Sequence, residues 1–77
     1  MIPLYGFLSG DTLGLVVLAD PNETIDSLAR KLERSAAVRV AKRPHLLVRA
    51  GERVLDGRQT VAEAGLQALD RFDVEAG

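Results

Sequence analysis

His45 is the only imidazole in a 77-residue sequence that contains no cysteine. A protein metal site converges three or four ligands, so one histidine without cysteines or clustered carboxylates does not make one. His45 reads instead as a strand residue with local hydrogen bonds. Thiol chemistry is closed, as is any disulfide. A hydroxyl nucleophile needs a base within reach. Ser9 falls in a turn and Ser27 and Ser35 fall on a helix, none with an evident base beside it. Asp70 and Asp73 invite comparison with paired acid–base carboxylates but read more simply as a loop residue and an outward strand residue. Gly51 and Gly57 are turn glycines, not a phosphate-binding loop. No catalytic residue, metal ligand or cofactor site is expected, and the chain is not expected to be an enzyme.

The elements that would carry these residues are set by hydrophobic period. Ile2 to Leu8 and Thr12 to Leu18 are apolar stretches flanking Ser9-Gly10-Asp11, the pattern of a hairpin with Gly10 at the positive φ of its turn. Pro3 lacks a donor and belongs near a strand start or at an unpaired position. Asp20-Pro21-Asn22-Glu23 is a turn. Thr24 then caps a helix whose apolar stripe is Ile25, Leu28, Ala29, Leu32 and Ala36, ending near Ala36 or Ala37. Asp26 in its first turn, with Arg30, Lys31 and Arg34 further along, suits the helix dipole, and Asp26 and Arg30 have the spacing of an ion pair. Val38 to Val40 reads as an extended connection and Lys42-Arg43-Pro44 as a loop. His45 to Ala50 is a third strand and Glu52 to Leu55 a very short fourth. Thr60-Val61-Ala62-Glu63 matches a capping box opening a helical turn that Gly65 stops. Arg71 to Glu75 alternates as a last strand with Phe72 and Val74 inward.

The expected fold is therefore α+β: a mixed sheet of four to five strands packed on one α-helix, ββαββ with a short helical turn before the last strand, as one domain over residues 1–77. A 47% hydrophobic content is enough for one core at this length. The expected core is Leu13, Leu15, Val17, Ile25, Leu28, Leu32, Leu47, Val54, Val61, Leu66, Phe72 and Val74.

These residues resemble ubiquitin. Phe7-Leu8-Ser9-Gly10-Asp11-Thr12 matches its first hairpin turn and Thr24-Ile25 the start of its helix. Leu47-Val48-Arg49-Ala50-Gly51, Leu55-Asp56-Gly57-Arg58 and Thr60-Val61-Ala62-Glu63 follow its third strand, turn and short helix. The resemblance implies a ubiquitin-like β-grasp fold. The tail departs from it: Val74 is followed by Glu75-Ala76-Gly77, without a basic arm or a terminal Gly-Gly, so a conjugated modifier is not expected. Of ubiquitin's apolar patch, Leu8 and Val48 stand at two positions and Glu75 replaces the third.

The chain is also similar to the gamma subunit (toluene-4-monooxygenase system protein B family) of bacterial multicomponent diiron monooxygenases. Leu15-Val16-Val17, Arg39-Val40-Ala41 with Arg43, Thr60 to Leu66 and Asp73-Val74 carry that similarity. It implies a non-catalytic accessory subunit docked on a larger hydroxylase chain of the alpha type, with the diiron centre in that other chain. A stand-alone ubiquitin-like adaptor, such as a secretion-associated protein, is the alternative.

A partner site is expected where strands carry apolar residues on both faces. Val16 and Leu18 oppose the inward set of the second strand, and Leu46 and Val48 oppose His45, Leu47 and Arg49 on the third. With Leu8 these form the expected docking patch, rimmed by Arg39, Arg43 and Arg49. The net charge of −1 is unevenly spread. Residues 30–58 hold nine bases and three acids, a formal +6, and the remainder one base and eight acids, −7. Such polarity either steers a partner or is a solvated surface. Nucleic-acid binding is not expected: Tyr5, Phe7 and Phe72 are too few aromatics for stacking, and there is no recognition motif. Met1-Ile2-Pro3-Leu4-Tyr5 lacks the features of a signal peptide and the apolar runs are too short to span a bilayer, so a cytoplasmic protein with no membrane partner is expected.

Overall fold

Alternation in five strands and a single apolar helical stripe build one two-layer unit. The computed structural model describes residues 1–11, 13–41 and 44–76. In chain order the elements are β1 (Ile2–Leu8), β2 (Gly14–Ala19), α1 (Ile25–Ser35), β3 (Leu46–Ala50), β4 (Arg53–Val54) and β5 (Arg71–Ala76). The sheet runs β2-β1-β5-β3-β4, with β1 and β5 parallel and the other neighbours antiparallel. The expected order, with five strands, is the observed one. The proposed start of the second strand at Thr12, the Lys42-Arg43 loop and the Gly77 tail lie outside the described residues.

The helix begins as its cap dictates: Thr24 is extended and its Oγ1 accepts from the Ser27 N–H at 3.1 Å. The next two orphan donors are met from across the chain, Ile25 N–H by the Gln59 carbonyl at 2.8 Å and Asp26 N–H by the Gly57 carbonyl at 3.0 Å. Arg30 donates to Glu33 Oε1 at 2.9 Å and to the Pro44 carbonyl at 3.0 Å. The segment after Thr60 closes as a capping box, Thr60 N–H to Glu63 Oε1 at 2.9 Å and Glu63 N–H to Thr60 Oγ1 at 3.1 Å. Gly10 takes φ 91° in the first hairpin turn, where a side chain would be strained.

The core lies between α1 and one sheet face. Phe72, Leu4, Ile25, Leu28, Leu32, Val61 and Val74 are fully buried, each contributing about 1.5–3 kcal/mol of hydrophobic stabilisation. Three expected core residues are elsewhere. Leu13 is half exposed because it belongs to the turn, its N–H donating to Asp11 Oδ1 at 3.3 Å, and the strand starts one residue later. Val54 faces outward opposite Arg49, and its neighbour Leu55 is the buried residue. Leu47 is half-buried on the open face.

The third strand is inverted relative to expectation. Val48 is 3% exposed in the core and Leu46 packs against that core, while Leu47 and Arg49 share the open face. With Leu46, Leu47 and Val48 all apolar, hydrophobicity leaves the facing undecided. Arg49 decides it, since a guanidinium inward would be buried without water, and outward it reaches Glu75 Oε1 at 2.8 Å.

The two oppositely charged parts of the chain are joined by ion pairs. Lys31 meets Glu23, Arg39 meets Asp11, and Arg49 meets Glu75. Each base comes from the +6 segment and each acid from the remainder, so a share of the segregated charge is spent within the fold.

Candidate functional site

The helix covers one face of the sheet, and the other face is open. On β1 the outward residues are Pro3, Tyr5 and Phe7. Across from them on β2 stand Leu18, Val16 and Gly14. Val16 is 62% and Leu18 54% exposed, and Tyr5 is exposed between them and β5. Beyond β1 the face turns polar: Arg71, Asp73 and Glu75 on β5, then Leu47 and Arg49 on β3. An apolar, partly aromatic half therefore adjoins a charged half.

Phe7 marks the seam. A Cβ at Gly14 would come within 2.7 Å of the Phe7 ring, so the absence of a side chain there lets the ring lie across β2. Arg71 covers the ring, its guanidinium carbon 4.0 Å from the ring centroid. The same guanidinium donates to Asp73 Oδ1 at 2.9 Å, and that hydrogen bond raises the affinity of Arg71 for its proton. The charged half is thus internally paired.

The docking residues expected from the sequence are only partly brought together. Val16 and Leu18 are exposed side by side, and Arg49 lies across the same face. Against expectation, Leu8 and Val48 are buried at 3% each in the core and are not offered on the surface, and Leu46 is half-buried against that core. Leu8 lies in a strand whose Leu4, Gly6 and Leu8 face the helix, which places it inside. Arg39, expected at the rim, is exposed but committed to an ion pair. Its Nε and Nη2 grip both oxygens of Asp11 at 2.9–3.2 Å, tying the first hairpin turn to the segment after the helix. That hydrogen bonding holds the Arg39 proton more tightly than usual. Arg43 lies outside the described residues.

Pro3, Tyr5, Phe7 and Arg71 are the face residues that sequence reasoning missed. Strand alternation places Tyr5 and Phe7 on the side opposite Leu4 and Leu8, a signal present in the sequence once Leu4 is assigned inward. Leu69 was also missed. It is 60% exposed with φ 69°, a rare left-handed conformation for leucine, and its N–H donates to the Pro3 carbonyl at 2.7 Å.

His45 is exposed just before β3. Among the described residues no group of three or more His, Cys, Asp or Glu is placed to hold a metal ion, and no helix is long and apolar enough to cross a membrane.

Comparison with known proteins places this geometry. The family model for toluene-4-monooxygenase system protein B (TmoB) matches residues 1–75. No curated protein sequence matches the chain. Among solved structures, a chain of a toluene 4-monooxygenase HD complex with the inhibitor 4-bromobenzoate is similar over 99% of this chain and 98% of its own, at 28% identity and a TM-score of 0.90. Caldiarchaeum subterraneum ubiquitin is similar over 99% of this chain and 92% of its own, at 16% identity and a TM-score of 0.79. ATBAG1, solved in complex with HSP70, is similar over 96% of this chain and 39% of its own, at 10% identity and a TM-score of 0.75. The last two likenesses show the ubiquitin-like fold alone.

Proposed function

The chain belongs to the toluene-4-monooxygenase system protein B family, and on that premise we propose that it acts by docking its open sheet face on the larger hydroxylase chain of a monooxygenase complex. It is an accessory subunit of such a complex. Its role there is non-catalytic, and the diiron chemistry belongs to the larger, alpha-type chain. The complex works in the cytoplasm.

One observation carries the docking reading. Val16 and Leu18, 62% and 54% exposed, form with Tyr5 an uncovered apolar patch on a domain whose core is already complete. Fully burying side chains of this size is worth about 1.5–3 kcal/mol each, and a larger chain is what would cover them. Arg71, Asp73, Arg49 and Glu75 supply the polar border that interfaces have around an apolar centre.

The test is recovery of an affinity-tagged copy of the chain from its native host, with identification of what co-purifies. The large chain of a monooxygenase in stoichiometric amount is the expected result. Recovery of secretion components without any hydroxylase chain would favour a stand-alone adaptor instead.

A further inference from the structure

The open face continues onto a strand edge that is also unfilled. In the order β2-β1-β5-β3-β4 the strand β2 has, among the described residues, a neighbour on one side only. Which of its backbone groups face outward follows from β1. Leu69 N–H donates to the Pro3 carbonyl, and Tyr5 N–H donates to the Asp70 carbonyl at 2.9 Å, so Pro3 and Tyr5 direct their backbone groups toward β5. Their partners in the antiparallel register are Leu18 and Val16. These are non-hydrogen-bonded pairs, and Val16 and Leu18 therefore direct N–H and C=O away from β1 to the free edge. The Leu18 carbonyl confirms the direction, since it accepts from Lys31 Nζ at 2.6 Å outside the ladder.

Exposed edges are ordinarily guarded by charge, proline or a bulge. The run Gly14-Leu15-Val16-Val17-Leu18-Ala19 carries none of these itself; Lys31 covers only the Leu18 carbonyl at its end and leaves the outward groups of Val16 and the Leu18 N–H uncovered by it. We infer that β2 receives an extended segment of the larger hydroxylase chain as an added strand, hydrogen-bonded to the outward N–H and C=O of Val16 and the N–H of Leu18, with apolar side chains against Val16 and Leu18. This rests on the accessory-subunit reading and specifies how the contact is made.

The occupant is the larger hydroxylase chain because this chain belongs to a family of monooxygenase-complex subunits and matches a chain of such a complex over nearly its whole length; a second copy of this chain is an outcome of the test. The added segment is apolar in alternation, to lie against Val16 and Leu18.

The test is amide hydrogen exchange on this chain, free and bound to the large hydroxylase chain co-expressed from the same host. The Val16 and Leu18 amides are expected to exchange freely when alone and to slow at least about tenfold in the complex. Val16→Pro removes the edge donor without touching the ladder to β1 and is expected to weaken association about tenfold, the worth of one interfacial hydrogen bond left unmade. Association with unslowed Val16 and Leu18 amides would overturn strand addition while leaving the subunit reading intact. Slowing of these amides in the free protein at high concentration would assign the edge to a second copy. No association at all would overturn both readings.

Discussion

Lys31 Nζ stands 2.6 Å from the Leu18 carbonyl oxygen and 2.7 Å from Glu23 Oε1, so one helical side chain ties the end of β2, the turn after it and the helix together. Glu23 is the hub of this contact. It also accepts from the Asp20 N–H at 2.8 Å and from Ser27 Oγ at 2.9 Å. Burial pushes the Glu23 carboxyl up, but the hydrogen bonds from Lys31, Asp20 and Ser27 outweigh it and the net shift is below the ordinary 4.5. A carboxylate with a lowered folded-state pKa adds stability above its unfolded-state value and loses it as pH falls through the folded value. Thermal unfolding of the wild type and Glu23→Gln should therefore differ at neutral pH, and the gap should close as pH drops below 4.5. A gap that widens in acid would contradict this network.

Val48→Asp separates core from surface. Val48 is 3% exposed beneath the helix, and an unpaired carboxylate there costs on the order of 4 kcal/mol, comparable with the whole stability of a small domain. The variant should be largely unfolded by circular dichroism. Val16→Glu, at a 62% exposed position, should retain a native spectrum.

Gly14→Ala tests how the face is built. The added methyl would meet the Phe7 ring at 2.7 Å, and the ring must swing off β2 and away from Arg71. Protons on the Arg71 side chain should lose their aromatic ring-current shift in the NMR spectrum while the core resonances of Phe72 stay in place. An unchanged Arg71 spectrum would show that the ring does not depend on Gly14.

Thr60→Ala removes the hydroxyl that accepts from the Glu63 N–H at 3.1 Å. Loss of such a cap costs about 1 kcal/mol, read as a lower denaturant midpoint. Thr60→Ser should recover most of it.

The order of elements, the helix cap and the capping box were legible because each rests on local chemistry: Thr24 three residues before Ser27, Thr60 three before Glu63, and an apolar stripe at helical spacing. The open sheet face was legible at β2, where Val16 and Leu18 alternate with Leu15, Val17 and Ala19. It was misread at β3, where Leu46-Leu47-Val48 offers apolar residues to both sides and only the charge of Arg49 distinguishes them. The ion pair of Arg39 was not legible for a different reason. Its partner, Asp11, lies 28 residues away, and a contact at that separation exists only once the hairpin turn has folded back beside the end of the helix.

The most direct test of the account is titration of the large hydroxylase chain with three forms of this protein: wild type, the double variant Val16→Glu/Leu18→Glu, and Val38→Glu, which alters a 91% exposed residue in the segment after the helix. Docking through the open sheet face predicts tight binding by wild type and Val38→Glu and a loss of at least about a hundredfold for the double variant, since two charges would enter an apolar contact. Undiminished binding by a folded double variant would contradict it.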